Sequence, residues 1–230
     1  RSLLFVPADS ERKIEKALGS AADVIILDLE DSVAPANKPD ARKLAAQTLS
    51  QPRKAGQKLY VRVNALDSGL TAEDVDAVLA ANPDGLIHPK TETGACVETV
   101  AGMAGEAMPV IAIATETAKA MFGLGSYGGL KANLQGLAWG AEDLSNALGA
   151  QANRTSDGAL TEPYRMARTL CLYGARAAGV DPVDTVYVDF RNEAGLIADC
   201  EEAVRDGFTA KMAIEQAQVG LISRVFRPGP

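Results

Sequence analysis

Two carboxylates, Glu116 and Asp143, are the first candidates for chemistry. Glu116 lies near the end of the segment PVIAIATET, and Asp143 lies in WGAEDL, so each follows one of two successive apolar runs. Adjacent strands of a sheet lie ~4.8 Å apart. If the two runs are neighbouring strands, the two carboxylates could hold one Mg²⁺, with water and substrate completing an octahedral shell. The alternative is that Asp143 caps a helix beginning near Leu144 and that Glu116 is a solvated loop carboxylate.

A second acidic group follows another apolar run. Asp28, Glu30 and Asp31 lie close together in ILDLEDSV. Burying several carboxylates side by side is unfavourable unless a cation, water or basic side chains compensate. The cluster therefore favours a functional role, although Asp31 and Ser32 could instead cap the helix that follows.

Arg62, in VRVN, is a guanidinium at the end of an otherwise apolar strand. Its planar fork matches two oxygen atoms, so it could clamp a substrate carboxylate or polarise a carbonyl. A structural ion pair with Glu30 or Asp31 is the alternative, and the two roles are compatible.

Three further motifs are weaker indications of a functional site. The segment Gly123–Gly128, GLGSYG, has the GxGxxG pattern, but it does not leave a strand and open a helix, which favours a loop. Lys90 could form a Schiff base only with a lowered pKa, and acidic neighbours would raise that pKa. We interpret His88, which is the single histidine, as a core or structural residue.

These side chains must be positioned by a repeated pattern of strands and helices. Eight short apolar runs recur, each followed by a segment of helical composition: SLLFVP, DVIILDLED, KLYVRVN, GLIHPK, PVIAIATET, LQGLAWG, TVYVDF and KMAIEQ. Runs that are apolar throughout are typical of a parallel sheet covered on both faces. Eight such units in 230 residues predict a single-domain α/β protein, a (β/α)₈ TIM barrel over residues 1–230, since that fold takes about 250 residues.

A doubly wound open sheet is the alternative fold. The barrel is favoured because polar residues follow strand after strand, and in a barrel these strand ends meet at one mouth. An open sheet gathers functional groups mainly at one switch point.

Composition limits the possible partners. The formal net charge of −7 disfavours general binding to nucleic acid or anionic lipid. No apolar run approaches the ~20 residues that span a bilayer, so we expect a soluble, cytoplasmic protein without membrane contact. Three scattered cysteines predict free thiols instead of disulfides or a zinc site.

Six segments, in order along almost the whole chain, resemble the citrate lyase β-subunit-like group of the HpcH/HpaI aldolase superfamily. They are RSLLFVPADSERKIEKAL, VIILDLEDSVAP with NKPDAR, VRVN, IATETA, GLAWGAEDLSNALGA and AKMAIEQAQV. The group is similar to malyl-CoA, citramalyl-CoA and citryl-thioester lyases. The resemblance implies a Mg²⁺-dependent barrel that is commonly a homotrimer. Such an enzyme cleaves a 3-hydroxy-3-carboxyacyl thioester into a 2-oxo acid and an acetyl thioester of CoA or a carrier, or forms the larger thioester from these two compounds.

The resemblance also implies roles for individual residues. The metal ligands would be Glu116 and Asp143, and Arg62 would bind substrate together with Glu116 and stabilise the transition state. The carboxylates of Asp28, Glu30 and Asp31 would stabilise metal-bound water and the arginine. The basic residues Lys38 and Arg42 would lie near the CoA phosphates. One segment departs from the pattern, because AKMAIEQ lacks a usual His-Pro pair. A thioesterase using the same site and a carrier-binding subunit of a citrate lyase complex remain alternative functions.

Overall fold

The computed structural model describes residues 1–52 and 54–227, and these form a closed barrel of parallel strands. Each strand pairs with the next in chain order, and the last pairs with the first. The predicted (β/α)₈ barrel is confirmed, and the open sheet, which would leave two unpaired edges, is excluded.

The described residues contain eight strands and eight α-helices. The strands are β1 Ser2–Pro7, β2 Val24–Asp28, β3 Lys58–Arg62, β4 Gly85–His88, β5 Val110–Ile113, β6 Leu134–Ala138, β7 Asp181–Asp184 and β8 Ala210–Ala213. The helices are α1 Glu11–Leu18, α2 Lys38–Leu49, α3 Thr71–Leu79, α4 Gly94–Ala104, α5 Ala141–Leu148, α6 Glu162–Ala178, α7 Glu193–Asp206 and α8 Gln216–Val225.

Two apolar layers account for the continuous apolar runs. Successive side chains of a strand point to opposite faces. On β2, Ile26 belongs to the cluster that fills the barrel, whereas Ile25 and Leu27 belong to the cluster between strands and helices. Because each strand is covered on both faces, its sequence lacks the alternation of polar and apolar residues that is typical of a half-exposed strand.

The seventh strand lies earlier than predicted. Residues 185–190, TVYVDF, have the composition of a strand, but β7 is Asp181–Asp184. Val183 pairs in register with Ala138 on one side and Ala210 on the other. Pro182 lacks an N–H group, which argues against a strand on sequence grounds, yet its carbonyl accepts a hydrogen bond from the Thr209 N–H at 3.1 Å. The predicted strand is instead a loop at the barrel mouth.

A buried ion pair joins the last two strands. Lys211 on β8 is fully buried, and its Nζ lies 2.6 Å from Asp184 Oδ2 and 2.6 Å from Asp199 Oδ2. Asp184 ends β7 and also accepts a hydrogen bond from Trp139 Nε1 at 2.6 Å. These contacts fix the end of β7, from which the chain enters the mouth.

Two predictions on composition can be compared with the structure. All three cysteines are free, with Cys171 and Cys200 buried and Cys96 partly exposed. Within residues 1–52 and 54–227, no helix has the length and apolar character needed to cross a membrane.

Candidate active site

The predicted site residues come together at the carboxyl ends of the strands. Asp28 ends β2, Arg62 ends β3, Glu116 follows β5, and Asp143 lies in the first turn of α5 after β6. With Asp31, these four side chains line one cavity of about 250 Å³. The barrel thus unites groups that lie up to 115 positions apart in the chain, from Asp28 to Asp143.

Arg62 and Asp28 form a two-pronged ion pair. Arg62 Nε and Nη2 each donate to one oxygen of Asp28 at 2.7 Å. Burial opposes the charge on Asp28, but Arg62 outweighs that effect and holds the pKa of Asp28 below its usual value. Asp28 also accepts the N–H groups of Glu30 at 2.9 Å and Ser32 at 3.2 Å. It therefore shapes the turn after β2.

The alternative role of Asp31 and Ser32, capping the next helix, is excluded. Helix α2 begins only at Lys38, after a short 3₁₀ turn over Pro35–Asn37. The local turn made by Asp28 replaces the cap. Asp31 is consequently exposed and free to line the mouth.

Glu30 is a buried carboxylate on the other side of Arg62. Its Oε2 lies 2.9 Å from Arg62 Nη1, outside hydrogen-bonding geometry, so this buried oxygen is ion-paired without accepting a hydrogen bond. Burial raises the pKa of Glu30, and the charges of Arg62 and Lys90 only partly counteract it. The structural ion pair predicted for Arg62 is therefore present, with Asp28 and Glu30 as its partners.

Glu116 is a buried carboxylate whose charged form is disfavoured by its surroundings. Burial raises the pKa of Glu116 to about 8, and the nearby charges of Asp143 and Glu30 add to the effect. Its Oε2 accepts the Lys90 N–H at 2.5 Å. Gly140 makes room for it, because a Cβ atom at that position would lie 2.7 Å from Glu116 Cγ. The solvated loop carboxylate considered for Glu116 is thus excluded.

Asp143 faces the same cavity from α5. The N-cap of α5 is Gly140, and Asp143 follows in the first turn without capping the helix. A helix N-terminus favours a negative charge there. No group of three or more histidine, cysteine or acidic side chains in the described part of the chain is arranged to enclose a metal. Two carboxylates beside open space nevertheless fit Mg²⁺, which keeps several water ligands. Burial and the neighbouring carboxylates disfavour a charged Glu116 and raise its pKa, and a bound divalent cation would favour the charged form.

Lys90 belongs to the site, although its sequence context argued only against a Schiff base. Its ammonium group contacts Glu30, Asp31 and Asp143. Burial disfavours the charged form of Lys90, but Glu30 outweighs burial and raises its pKa. The expected obstacle to a Schiff base is therefore confirmed. Its place just after β4, separated from the strand by Pro89, was the available signal in the sequence.

Lys38 and Arg42, predicted near the CoA phosphates, are engaged within the fold. Lys38 Nζ is buried and donates to Leu29 O at 2.7 Å, Glu30 O at 2.9 Å and Asn64 Oδ1 at 2.7 Å. Arg42 pairs with Glu73 at 2.8 Å and Asp74 at 2.7 Å. Lys38 thus joins the segments that follow β2 and β3, whereas Arg42 joins α2 to α3. Their role in phosphate binding stays a prediction.

The remaining motifs behave as expected from their surroundings. The GLGSYG segment includes a short 3₁₀ turn, Leu124–Ser126, and no α-helix follows it before β6. His88 is buried, its Nδ1 lies 2.8 Å from Thr91 Oγ1, and burial lowers its pKa to about 4. Where the His-Pro pair is absent, Glu215 and Gln218 form a reciprocal cap at the start of α8.

The sequence matches the HpcH/HpaI aldolase/citrate lyase family over residues 1–216. The chain belongs to this family. Among the curated relatives of this chain, the (3S)-malyl-CoA thioesterase of Cereibacter sphaeroides is 37% identical over 234 residues. The alignment covers 100% of this chain and 78% of the relative. The mitochondrial citramalyl-CoA lyase of Rattus norvegicus is 31% identical over 258 residues, covering 100% and 72%.

Solved structures agree with this membership. CitE of Mycobacterium tuberculosis, in complex with magnesium, acetoacetate and coenzyme A, superposes with a TM-score of 0.87 at 34% identity, covering 99% of this chain and 81% of that one. CitE in complex with magnesium and pyruvate gives a TM-score of 0.87 at 34% identity, covering 99% and 90%. The resemblance noted from the sequence is therefore confirmed for this HpcH/HpaI chain.

Proposed function

We propose that this chain is a Mg²⁺-dependent carbon–carbon lyase. Its substrate would be a 3-hydroxy-3-carboxyacyl thioester such as malyl-, citramalyl- or citryl-CoA. The enzyme would cleave this thioester into a 2-oxo acid and an acetyl thioester, or form it from them. The observation that carries the proposal is the convergence of Glu116, Asp143 and Arg62 on one cavity at the barrel mouth. The magnesium complexes of CitE support the choice of metal.

Glu116 and Asp143 would hold the metal. Bound Mg²⁺ supplies a Lewis acid that polarises carboxylate, hydroxyl and carbonyl oxygens of a substrate. Glu116 is aimed from both sides, by the Lys90 N–H and by the space left at Gly140. Asp28, Glu30 and Asp31 keep the surroundings negative, which favours a divalent cation.

Arg62 would stabilise the negative charge of the reaction. In cleavage, the hydroxyl proton leaves, the bond between the carbinol carbon and the thioester α-carbon breaks, and its electron pair passes to the thioester as an enolate that then takes up a proton. The guanidinium is 11% exposed and lies over the Phe5 ring at 4.8 Å. This rigid, poorly hydrated position suits a donor whose effect on an oxyanion is often about 3 kcal/mol.

The thioester tail has an adjoining groove. A second cavity, of about 270 Å³, shares Phe5 and Ile214 with the site and is lined by Lys13 and Lys16 of α1. These two lysines are exposed. They are better placed than buried Lys38 to meet the phosphates of CoA.

Product analysis tests the reaction. Purified protein with Mg²⁺ and malyl-CoA should release glyoxylate and acetyl-CoA, both separable by chromatography, and Asp143→Ala should not. Malate with free CoA as the products would instead indicate hydrolysis. No turnover of any of the three thioesters would contradict an independent enzyme and favour the carrier-binding subunit.

Hydrolysis is the second candidate, because the Cereibacter relatives at 37% identity are named as thioesterases. The same cavity could position a water molecule against the thioester carbonyl. The ratio of malate to glyoxylate in the assay above decides between the two activities.

We also propose a homotrimer in the cytoplasm. The family resemblance supports the trimer, and the net charge of −7 suits a soluble protein. Sedimentation should give a mass of about three chains at micromolar concentration; a fully active monomer would refute the trimer.

A further inference from the structure

Lys90 has a backbone conformation that bulky side chains rarely adopt. Its φ is +48°, and Asn82 is the other non-glycine residue with positive φ in the described part of the chain. Asparagine tolerates this left-handed region, whereas lysine does not do so readily. Surrounding contacts must therefore hold Lys90 in place, and such strain is concentrated at functional sites.

The contacts of Lys90 that hold it in place are with carboxylates at the barrel mouth. The backbone N–H of Lys90 donates to Glu116 Oε2 at 2.5 Å. Its ammonium group pairs with Glu30 and lies 3.3 Å from Asp31 Oδ2 and 3.7 Å from Asp143 Oδ1. One strained residue thus contacts both proposed metal ligands, one through its backbone and the other through its charge.

The carboxylates at the mouth outnumber the cations, and Lys90 reduces this excess of negative charge. Arg62 is engaged by Asp28 and Glu30. That leaves Asp31, Glu116 and Asp143 beside the cavity, and Lys90 is the cation that reaches Asp143 among the ion pairs of residues 1–52 and 54–227. Its side chain is 27% exposed, so solvent screens this charge only in part.

We infer that Lys90 is a positioning residue whose ammonium group supplies, in the metal-free protein, part of the positive charge that a divalent ion supplies when bound. The inference rests on the proposed metal site at Glu116 and Asp143. Mg²⁺ held by Glu116 and Asp143 would repel the Lys90 ammonium group, so the two positive charges would compete for Asp143. Lys90 therefore stabilises the empty site and weakens the affinity of the filled one.

Removing the charge of Lys90 should lower the stability of the metal-free protein and raise its affinity for Mg²⁺. The variant Lys90→Asn keeps a residue that tolerates positive φ, and with it the N–H that aims Glu116. Its melting temperature in EDTA should fall below that of the wild type. Its Kd for Mg²⁺, measured by calorimetry, should become smaller by on the order of tenfold, as expected when a nearby like charge is removed.

Two further variants serve as controls. Lys90→Arg keeps the charge and should stay within about twofold of the wild-type Kd, since the cation at the mouth is retained. Lys119→Asn removes an exposed lysine that pairs with Glu92 at 2.7 Å on the loop after β5. It should leave both the melting temperature in EDTA and the Mg²⁺ affinity unchanged.

An unchanged or weaker Mg²⁺ affinity in Lys90→Asn, with wild-type binding intact, would overturn the inference alone. Absence of Mg²⁺ binding in the wild type would instead remove the proposed metal site. If Lys90→Asn does not fold in EDTA, added Mg²⁺ should restore folding, because the ion supplies the missing charge. Lys90→Gly, which relieves the strain, repeats the comparison, and failure of both variants to fold with Mg²⁺ present overturns the inference.

Discussion

Substituting Gly140 with alanine should displace Glu116 without removing any charge or ligand. The backbone of Gly140 is extended, with φ −122° and ψ 117°, so alanine fits its conformation. The added Cβ would lie 2.7 Å from Glu116 Cγ and 3.1 Å from Oε1. Carbon atoms in good contact lie about 3.5–4.0 Å apart, so the Glu116 side chain must retreat by about 1 Å.

Two measurable losses follow from this displacement. Overpacking of a buried site costs about 1–3 kcal/mol of unfolding free energy. Disturbing a residue that orients a metal ligand reduces metal affinity by about 10–100-fold, equivalent to roughly 1.4–2.7 kcal/mol. Urea denaturation of the metal-free protein measures the first loss, and calorimetric titration with Mg²⁺ measures the second.

Gly136→Ala is the matched control. Gly136 lies on β6, away from the mouth, and its Cβ would meet Asp181 O of β7, also at 2.7 Å. It should lose stability and keep the wild-type Mg²⁺ affinity. Wild-type Mg²⁺ affinity in Gly140→Ala, or an equal loss in both variants, would refute the argument that Gly140 positions Glu116.

Three further outcomes are expected. Asp143→Ala removes a proposed ligand, so calorimetry should show severely weakened Mg²⁺ binding, and unchanged binding rejects the assignment. Arg62→Lys keeps the charge but loses the fork, so kcat should fall on the order of a hundredfold with KM near the wild-type value; a raised KM with intact kcat would mean that Arg62 only binds substrate. His88 has its pKa lowered by burial to about 4, so the unfolded state takes up a proton first as the pH falls. Stability should decrease between about pH 6.5 and 4, by roughly 3 kcal/mol, and denaturation of His88→Asn should lack this component; identical pH dependence in both proteins would contradict it.

The barrel and the identity of its mouth residues could be predicted because both follow from local patterns. Apolar runs mark the strands, and a polar residue at the end of a run must face the mouth once the runs form parallel strands. That reasoning located Asp28, Arg62 and Glu116 without knowledge of their contacts. It failed at residues 185–190, whose composition suits a strand, because the register with β6 and β8 is set by residues 181–184.

The partners of the mouth residues were harder to predict. Whether Lys38 faces a ligand or the fold depends on Leu29 O, Glu30 O and Asn64, which become neighbours only through tertiary packing. Lys90 was judged by one chemistry, the Schiff base, and its left-handed backbone has no signature in the sequence. Long-range charge pairing and backbone strain therefore required the structure.

The pairing of β8 with β1 gives this protein a late step in assembly. Ser2 lies opposite Lys211 in the register, so the ring of strands stays open until β8 has been synthesised. Loop-closure entropy rises only slowly with length, by about 0.6 kcal/mol per doubling, so the delay is a matter of time more than of free energy. During that time β1 presents an unpaired edge to other chains. Docking of β8 covers this edge and brings Lys211 to Asp184 in the same event, so a defect in this strand should reveal itself as aggregation during synthesis.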